Sequence, residues 1–85
     1  ADGGVACGLP RASAIQYAAQ MMLGTAKMVL ETGQHPGVLK DSVCSPAGST
    51  IRGVQTLEKC GMRAAVFDAV TVAYEKNVEL KKASD

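Results

Sequence analysis

With 85 residues, 47% of them hydrophobic but only two Tyr, one Phe and no Trp, the chain has room for one small domain with a core of Ala, Val, Leu, Ile and Met. Such a core suits close helix packing better than a thick sheet sandwich. A formal charge of +1, with both signs interspersed, offers no electrostatic footprint for nucleic acid or an anionic membrane surface. Three cysteines without CxxC spacing and a single His argue against a disulfide framework and against a metal site, and read as reduced thiols of a cytoplasmic protein.

The opening residues Ala1-Asp2-Gly3-Gly4-Val5-Ala6-Cys7-Gly8 lack an initiator Met and read as the back end of a helix, with Gly8 at the left-handed stop position. The chain is therefore expected to be a fragment or a processed product. No signal peptide and no apolar run of membrane-spanning length is present in the sequence. From Leu9 to Glu31 the apolar residues fall three or four apart, at Ile15, Ala19, Met22, Ala26 and Val29, which predicts a long helix. Pro10 suits its first position, Gly33 its end, and Gly24 inside it marks an expected close approach of another helix.

Gln34-His35-Pro36-Gly37 reads as a turn, because the proline pushes His35 out of the helical region. Pro36 to Val43 follows as a short helix. A firm helix is expected from about Gly48 to Cys60, with Ile51, Val54 and Leu57 on one face and Gly61 as its stop. Another starts at about Met62, carries Ala65, Val66, Ala69, Val70, Ala73, Tyr74 and Val78, and fades into Glu79-Leu80-Lys81-Lys82. This last helix is apolar around much of its circumference, more than 85 residues can cover, so a second copy of the chain is expected to supply the rest.

One segment carries chemistry. Ser45-Pro46-Ala47-Gly48-Ser49-Thr50 opens a helix whose first N–H groups have no partner within it, carry partial positive charge and are closely approachable at Gly48. A carboxylate or phosphate fits there, and the hydroxyls of Ser45, Ser49 and Thr50 can donate further bonds. On spacing alone the alternative stays open that Ser45 or Ser49 merely caps the helix. No nucleophile with a partner base exists, since His35 is the one imidazole and reads as a turn residue. Met21, Met22 and Met28 read as packing side chains, the cysteines as buried or incidental, Tyr74 as an interface residue, and Lys27, Lys40, Arg52 and Arg63 as solvent-facing.

Three stretches together resemble the C-terminal domain of the pyrroline-5-carboxylate reductase family. They are Ala1-Asp2-Gly3-Gly4-Val5 with Gly8-Leu9-Pro10-Arg11, then Gln34-His35-Pro36-Gly37 with Leu39-Lys40-Asp41, and then Ser45-Pro46-Ala47-Gly48-Ser49-Thr50-Ile51. The likeness covers nearly the whole chain without a gap. It implies an all-α, interlaced helical bundle that dimerises, spanning residues 1–85, with an opening helix cut short at Ala1 and without the NAD(P)-binding Rossmann domain of the family. No strand-Gly-helix unit occurs in the sequence.

The resemblance also implies the activity of the intact parent, reduction of 1-pyrroline-5-carboxylate to L-proline with NADPH or NADH, while the fragment alone binds no cofactor and is inactive. It assigns the substrate carboxylate to the amides of Ser49 and Thr50, the imine nitrogen to the Thr50 hydroxyl as the catalytic contact, and the pocket shape to Val43, Cys44 and Ser45, with Pro46, Ala47 and Gly48 completing the loop. Ala47 stands where the family commonly has Gly, and Ser49 where Thr or Ala is usual. Ala47 matters if that position needs a positive φ, which Ala resists. The competing readings are a stand-alone helical dimerisation module with a simply capped helix, and a helix-turn-helix nucleic-acid binder turning at Gly61. The latter lacks a basic face, since Arg63 alone does not make one.

Overall fold

The computed structural model describes residues 1–84. Among them there is no strand, and the chain runs through α1 (Asp2–Ala6), α2 (Arg11–Thr32), α3 (Pro36–Val43), α4 (Ser49–Lys59) and α5 (Met62–Ser84). The all-helical expectation holds. Two compact units divide the chain, one of Ala1–Ser42 and one beginning at Val43.

In the first unit α1 ends where the sequence placed its stop. Gly8 takes φ +109°, its N–H donates to the Val5 carbonyl at 3.0 Å, and the Leu9 N–H reaches back to the Gly4 carbonyl at 2.9 Å. These two bonds satisfy carbonyls that the helix leaves orphaned. The Leu9 side chain then folds over Gly4, where an added Cβ would lie 3.2 Å from Leu9 Cδ1 and 3.4 Å from Ala14 Cβ. Ala14, 3% exposed, is the buried apolar residue at this crossing of α1 and α2. Asp2 and Arg11, the first residues of the two helices, form an ion pair across it.

Pro10 precedes α2 rather than starting it. Its ψ of 144° is extended, and its carbonyl accepts the first bond of the helix from the Ala14 N–H at 2.9 Å, so Pro10 supplies an acceptor while its missing donor costs nothing. The helix stops at Gly33, which takes φ +65° and donates its N–H to the Val29 carbonyl at 3.1 Å. His35 has a more definite task than a turn residue. Its Nδ1 accepts the Gly37 N–H at 2.9 Å, so the imidazole caps α3 in the way an Asn or Ser would. Gly37 permits this, because a Cβ there would sit 3.0 Å from that nitrogen.

The second unit is a pair of helices joined at Gly61, which takes φ +75°. Its N–H closes α4 on the Glu58 carbonyl at 3.1 Å and its own carbonyl opens α5 by accepting the Ala65 N–H at 2.9 Å. Arg63 donates to Glu58 at 2.7 Å across the same joint, and that hydrogen bond, then the carboxylate's charge, raises the guanidinium pKa. The guanidinium is thereby spoken for, which weakens further the nucleic-acid reading of this helix pair. The last helix does not fade at Glu79 but continues to Ser84. Straight-chain Glu and Lys are good helix formers, Lys76 pairs with Glu79 at 3.3 Å, and Lys81 and Lys82 sit in the last turn, where the helix dipole favours positive charge.

Little of the apolar surface is covered by the chain itself. Leu30 is 84% exposed, Phe67 73% and Tyr74 68%, and Met21, Met22, Met28, Val66 and Val70 are exposed with them. The methionines expected to pack find no cover within their own unit. Cys7 and Cys60 are likewise exposed and only Cys44 is half-buried. Gly24 faces open space, with no side chain or distant backbone within 4 Å of where a Cβ would stand. Helices with apolar residues spread so widely leave faces that water does not favour.

Replacing His35 by Ala should lower the stability of the assembled protein by about 1 kcal/mol through loss of the α3 cap, and His35→Asn should restore most of it. Urea midpoints at unchanged slope would check this, and equal midpoints for the Ala and Asn variants would contradict the capping role.

Candidate functional site

The loop from Val43 to Thr50 lies within the second unit. Val43 ends α3 and is exposed, Cys44 is half-buried, and Ser45 to Gly48 make a tight turn closed by the Gly48 N–H donating to the Ser45 carbonyl at 3.1 Å. Pro46 occupies the second position of that turn, where its fixed φ is favoured. Ala47 occupies the third with φ +57°. A proline followed by a positive φ is the type II pattern, whose third position belongs by preference to Gly. The positive φ that the sequence made a condition for concern is therefore present, and Ala47 bears it without Gly's freedom.

Gly48 stands at the N-cap position of α4 in extended geometry, φ −77° and ψ 172°. Any residue can adopt these angles, so Gly is required here for space. A Cβ at Gly48 would run into Ser45 Oγ and lie 3.2 Å from the Ser45 carbonyl oxygen. The chain folds back on itself there with no room for a side chain.

The structure bears on one of the two readings of the loop's polar groups, that of simple capping. The helix carries no side-chain cap, and the first amide of α4 to find a backbone acceptor is that of Arg52, on the Gly48 carbonyl at 3.4 Å. The N–H groups of Ser49, Thr50 and Ile51 have no acceptor among the described residues. Nor do the hydroxyls of Ser45, Ser49 and Thr50 take part in a hydrogen bond there, unlike those of Thr32, Ser42, Thr56, Thr71 and Ser84 on helix carbonyls. Simple capping by Ser45 or Ser49 is absent. What remains is a group of unpartnered amides and hydroxyls, close in sequence, at the positive end of a helix dipole, where negative charge is favoured.

Of the two cations near this stretch of sequence, Lys40 is paired with Asp41 at 3.1 Å, whereas Arg52 near the start of α4 has no ion-pair partner among the described residues. Ile51 and Val54 are the half-buried residues of α4, while Leu57 on the same face is exposed. No group of three or more His, Cys, Asp or Glu side chains suited to a metal occurs among the described residues. The described residues contain no strand feeding a glycine-rich turn and helix, the unit with which a nicotinamide domain binds pyrophosphate. No described helix is long and apolar enough to cross a membrane.

The role of His35 in capping α3 was hidden in the sequence, where Pro36 made it look like a turn residue; the available signal was the side-chain-free Gly37 two positions on. The remaining loop residues lie where sequence spacing put them, on one turn and the first helical residues after it.

A family model described as pyrroline-5-carboxylate reductase dimerisation matches residues 1–80. The chain is 57% identical over 82 residues to a pyrroline-5-carboxylate reductase of Escherichia coli (strain K12), covering 96% of this chain and 30% of that protein. Against the Arabidopsis thaliana pyrroline-5-carboxylate reductase the figures are 55%, 96% and 30%. It is 48% identical to pyrroline-5-carboxylate reductase 2 of Bos taurus, over all of this chain and 27% of that one. Among solved structures, the Plasmodium falciparum pyrroline carboxylate reductase with NADP bound superposes with a TM-score of 0.83 at 37% identity, covering 88% of this chain and 29% of that one. The chain thus spans about 30% of the length of the curated relatives it matches.

The crowding at Gly48 has a measurable signature. Gly48→Ala should destabilise the protein by about 1 kcal/mol, and combining it with Ser45→Ala, which removes the hydroxyl in the way, should recover about half of that. A double-mutant cycle in urea that shows the two changes to be additive would contradict the contact.

Proposed function

The chain belongs to the pyrroline-5-carboxylate reductase dimerisation family, and on that premise we propose that it is the part of such a reductase that joins two subunits and holds the substrate carboxylate. The intact enzyme reduces 1-pyrroline-5-carboxylate to L-proline in proline biosynthesis with a nicotinamide dinucleotide, NADPH by likeness to the NADP-bound relative. The dinucleotide is held by residues outside these 85. The observation that carries the proposal is the set of three unpartnered amides at Ser49, Thr50 and Ile51 behind a side-chain-free Gly48.

In this reading the amides of Ser49 and Thr50, with that of Ile51, receive the carboxylate, and Ser45 adds a hydroxyl from the opposite side of the turn. Charge-assisted bonds of this kind are short and directional, so two or three of them fix the carboxylate and with it the face of the five-membered ring. Thr50 presents its free hydroxyl one residue into the helix, where it hydrogen-bonds the ring nitrogen. That bond helps leave the C=N carbon electron-poor, and bulk water supplies the proton the product amine needs. The chain's contribution is positioning and polarisation.

The exposed faces of α2 and α5, with Leu30, Phe67 and Tyr74 uncovered, support a homodimer in which a second copy covers them. Burying a Leu or Phe side chain contributes roughly 1.5–3 kcal/mol, so a few such residues per subunit outweigh the cost of association. Cys7, Cys44 and Cys60, all unpaired, support a reducing, cytoplasmic setting.

Two experiments on the intact enzyme test the two halves. Thr50→Ala should leave the dimer intact and reduce kcat/KM by about 10- to 1,000-fold, the usual cost of losing a donor to the reacting group, with Thr50→Ser recovering much of it; unchanged turnover would return the loop to a structural role. Phe67→Asp should shift the dimer toward monomer in size-exclusion light scattering, and an unaltered dimer would move the interface off α5.

A further inference from the structure

Of the amides that open α3, one depends on a side chain. Pro36, the first residue of the helix, has no N–H, and the N–H groups of Val38 and Leu39 both donate to the His35 carbonyl, at 2.9 and 3.3 Å. The Gly37 N–H is left, and its acceptor is Nδ1 of His35 at 2.9 Å. A ring nitrogen accepts only while its lone pair is free, so the capping imidazole is the neutral tautomer with its proton on Nε2. Gly37 lets the ring lie this close, since a Cβ there would stand 3.0 Å from Nδ1 and 3.4 Å from Cε1.

We infer that His35 is a proton-operated cap: α3 is held at its start while the imidazole is neutral and loosens there when the ring takes a second proton. Protonation puts a hydrogen on Nδ1, so two N–H groups would face each other across 2.9 Å, and the ring must turn away and leave the Gly37 amide without its partner. The new charge also arrives at the positive end of the α3 dipole, where a cation is disfavoured. The last carbonyls of α2, before the turn, act the other way, but Gly33 already occupies that of Val29. No carboxylate stands ready to hold the protonated ring. Every charged side chain of residues 1–42 is paired with another, Asp2 with Arg11, Lys27 with Glu31 and Lys40 with Asp41, and none of these pairs includes His35. The residue is exposed, and imidazole is the side chain that changes charge between pH 5 and 8. The cap is therefore in place at the upper end of that window and is lost as pH falls through it. The helix it governs ends at Val43, the first residue of the loop that leads into α4.

The test is hydrogen–deuterium exchange of the intact enzyme, read by mass spectrometry on peptides covering residues 36–43, at pH 8 and pH 5 with labelling times scaled to the intrinsic amide rates. Parent, His35→Asn and His35→Ala are compared. In the parent, protection of the first turn of α3 should fall by about fivefold between the two pH values, which is the loss of one cap of about 1 kcal/mol. His35→Asn, whose carboxamide caps without titrating, should keep its protection at both. His35→Ala should show the lower protection at pH 8 already and no further step at pH 5. A parent whose α3 protection is the same at both pH values would overturn the inference. So would an acid step of equal size in the Asn and Ala variants, because the titrating group would then be another, or one spread equally over peptides from α4 and α5, because the whole assembly would then be loosening.

Discussion

The burial of apolar side chains is the constraint on which the rest of this chain depends, and neither of its two units meets it alone. Ala14, at the crossing of α1 and α2, is the buried apolar residue among those described, while Leu30, Phe67, Tyr74 and three methionines face outward on long helices. Folding must offset about 1–2 kcal/mol of backbone entropy per residue, and local hydrogen bonding within helices does not do so by itself. Helices α2 and α5 therefore depend on apolar cover from outside their own units, which agrees with membership of a family defined by dimerisation. It also accounts for the exposure of Met21, Met22 and Met28, whose flexible, polarizable side chains adapt well to a neighbouring surface.

Against that dependence, the segment from Val43 to Ile51 is locally self-determined. The turn is closed by one backbone bond, its direction is set by Pro46, its tightness by the lack of a Cβ at Gly48, and its exit by the apolar face of α4 at Ile51 and Val54. None of these needs a second subunit. The start of α4, like that of α2, has no side-chain cap, which leaves the amides of Ser49, Thr50 and Ile51 without a partner among the described residues. The same loop contains the one non-Gly residue with positive φ among those described, so its most strained backbone and its unpartnered donors are two to four residues apart. Strain held next to available donors is a recurring arrangement at sites that bind.

Much of this was legible in the sequence. Gly8, Gly33 and Gly61 announced three helix ends, and each carries the positive φ that such ends use. Pro36 to Val43 forms the short helix its composition indicated. Where the sequence was less informative, a local cue pointed two ways. Pro10 suits both the first helical position and the residue before it, and the extended ψ chose the second. The charged run at Glu79-Leu80-Lys81-Lys82 looks like an end by polarity, yet its residues are good helix formers with an ion pair and a favourable dipole, and the helix goes on.

Amino-acid order by itself determined the helices, their stops and the place of the loop, because each follows from contacts within four residues: apolar periodicity, a glycine past an end, a proline before a start. It also determined the family, through three stretches of specific residues. Tertiary structure alone decided what those residues do for one another. It showed that no side chain caps α4, that the imidazole of His35 caps α3, that Gly48 is required for space against Ser45, and that Ala47 takes the left-handed conformation. Backbone angles and unused donors depend on how the chain closes a turn in three dimensions, and a list of residue types does not specify that closure.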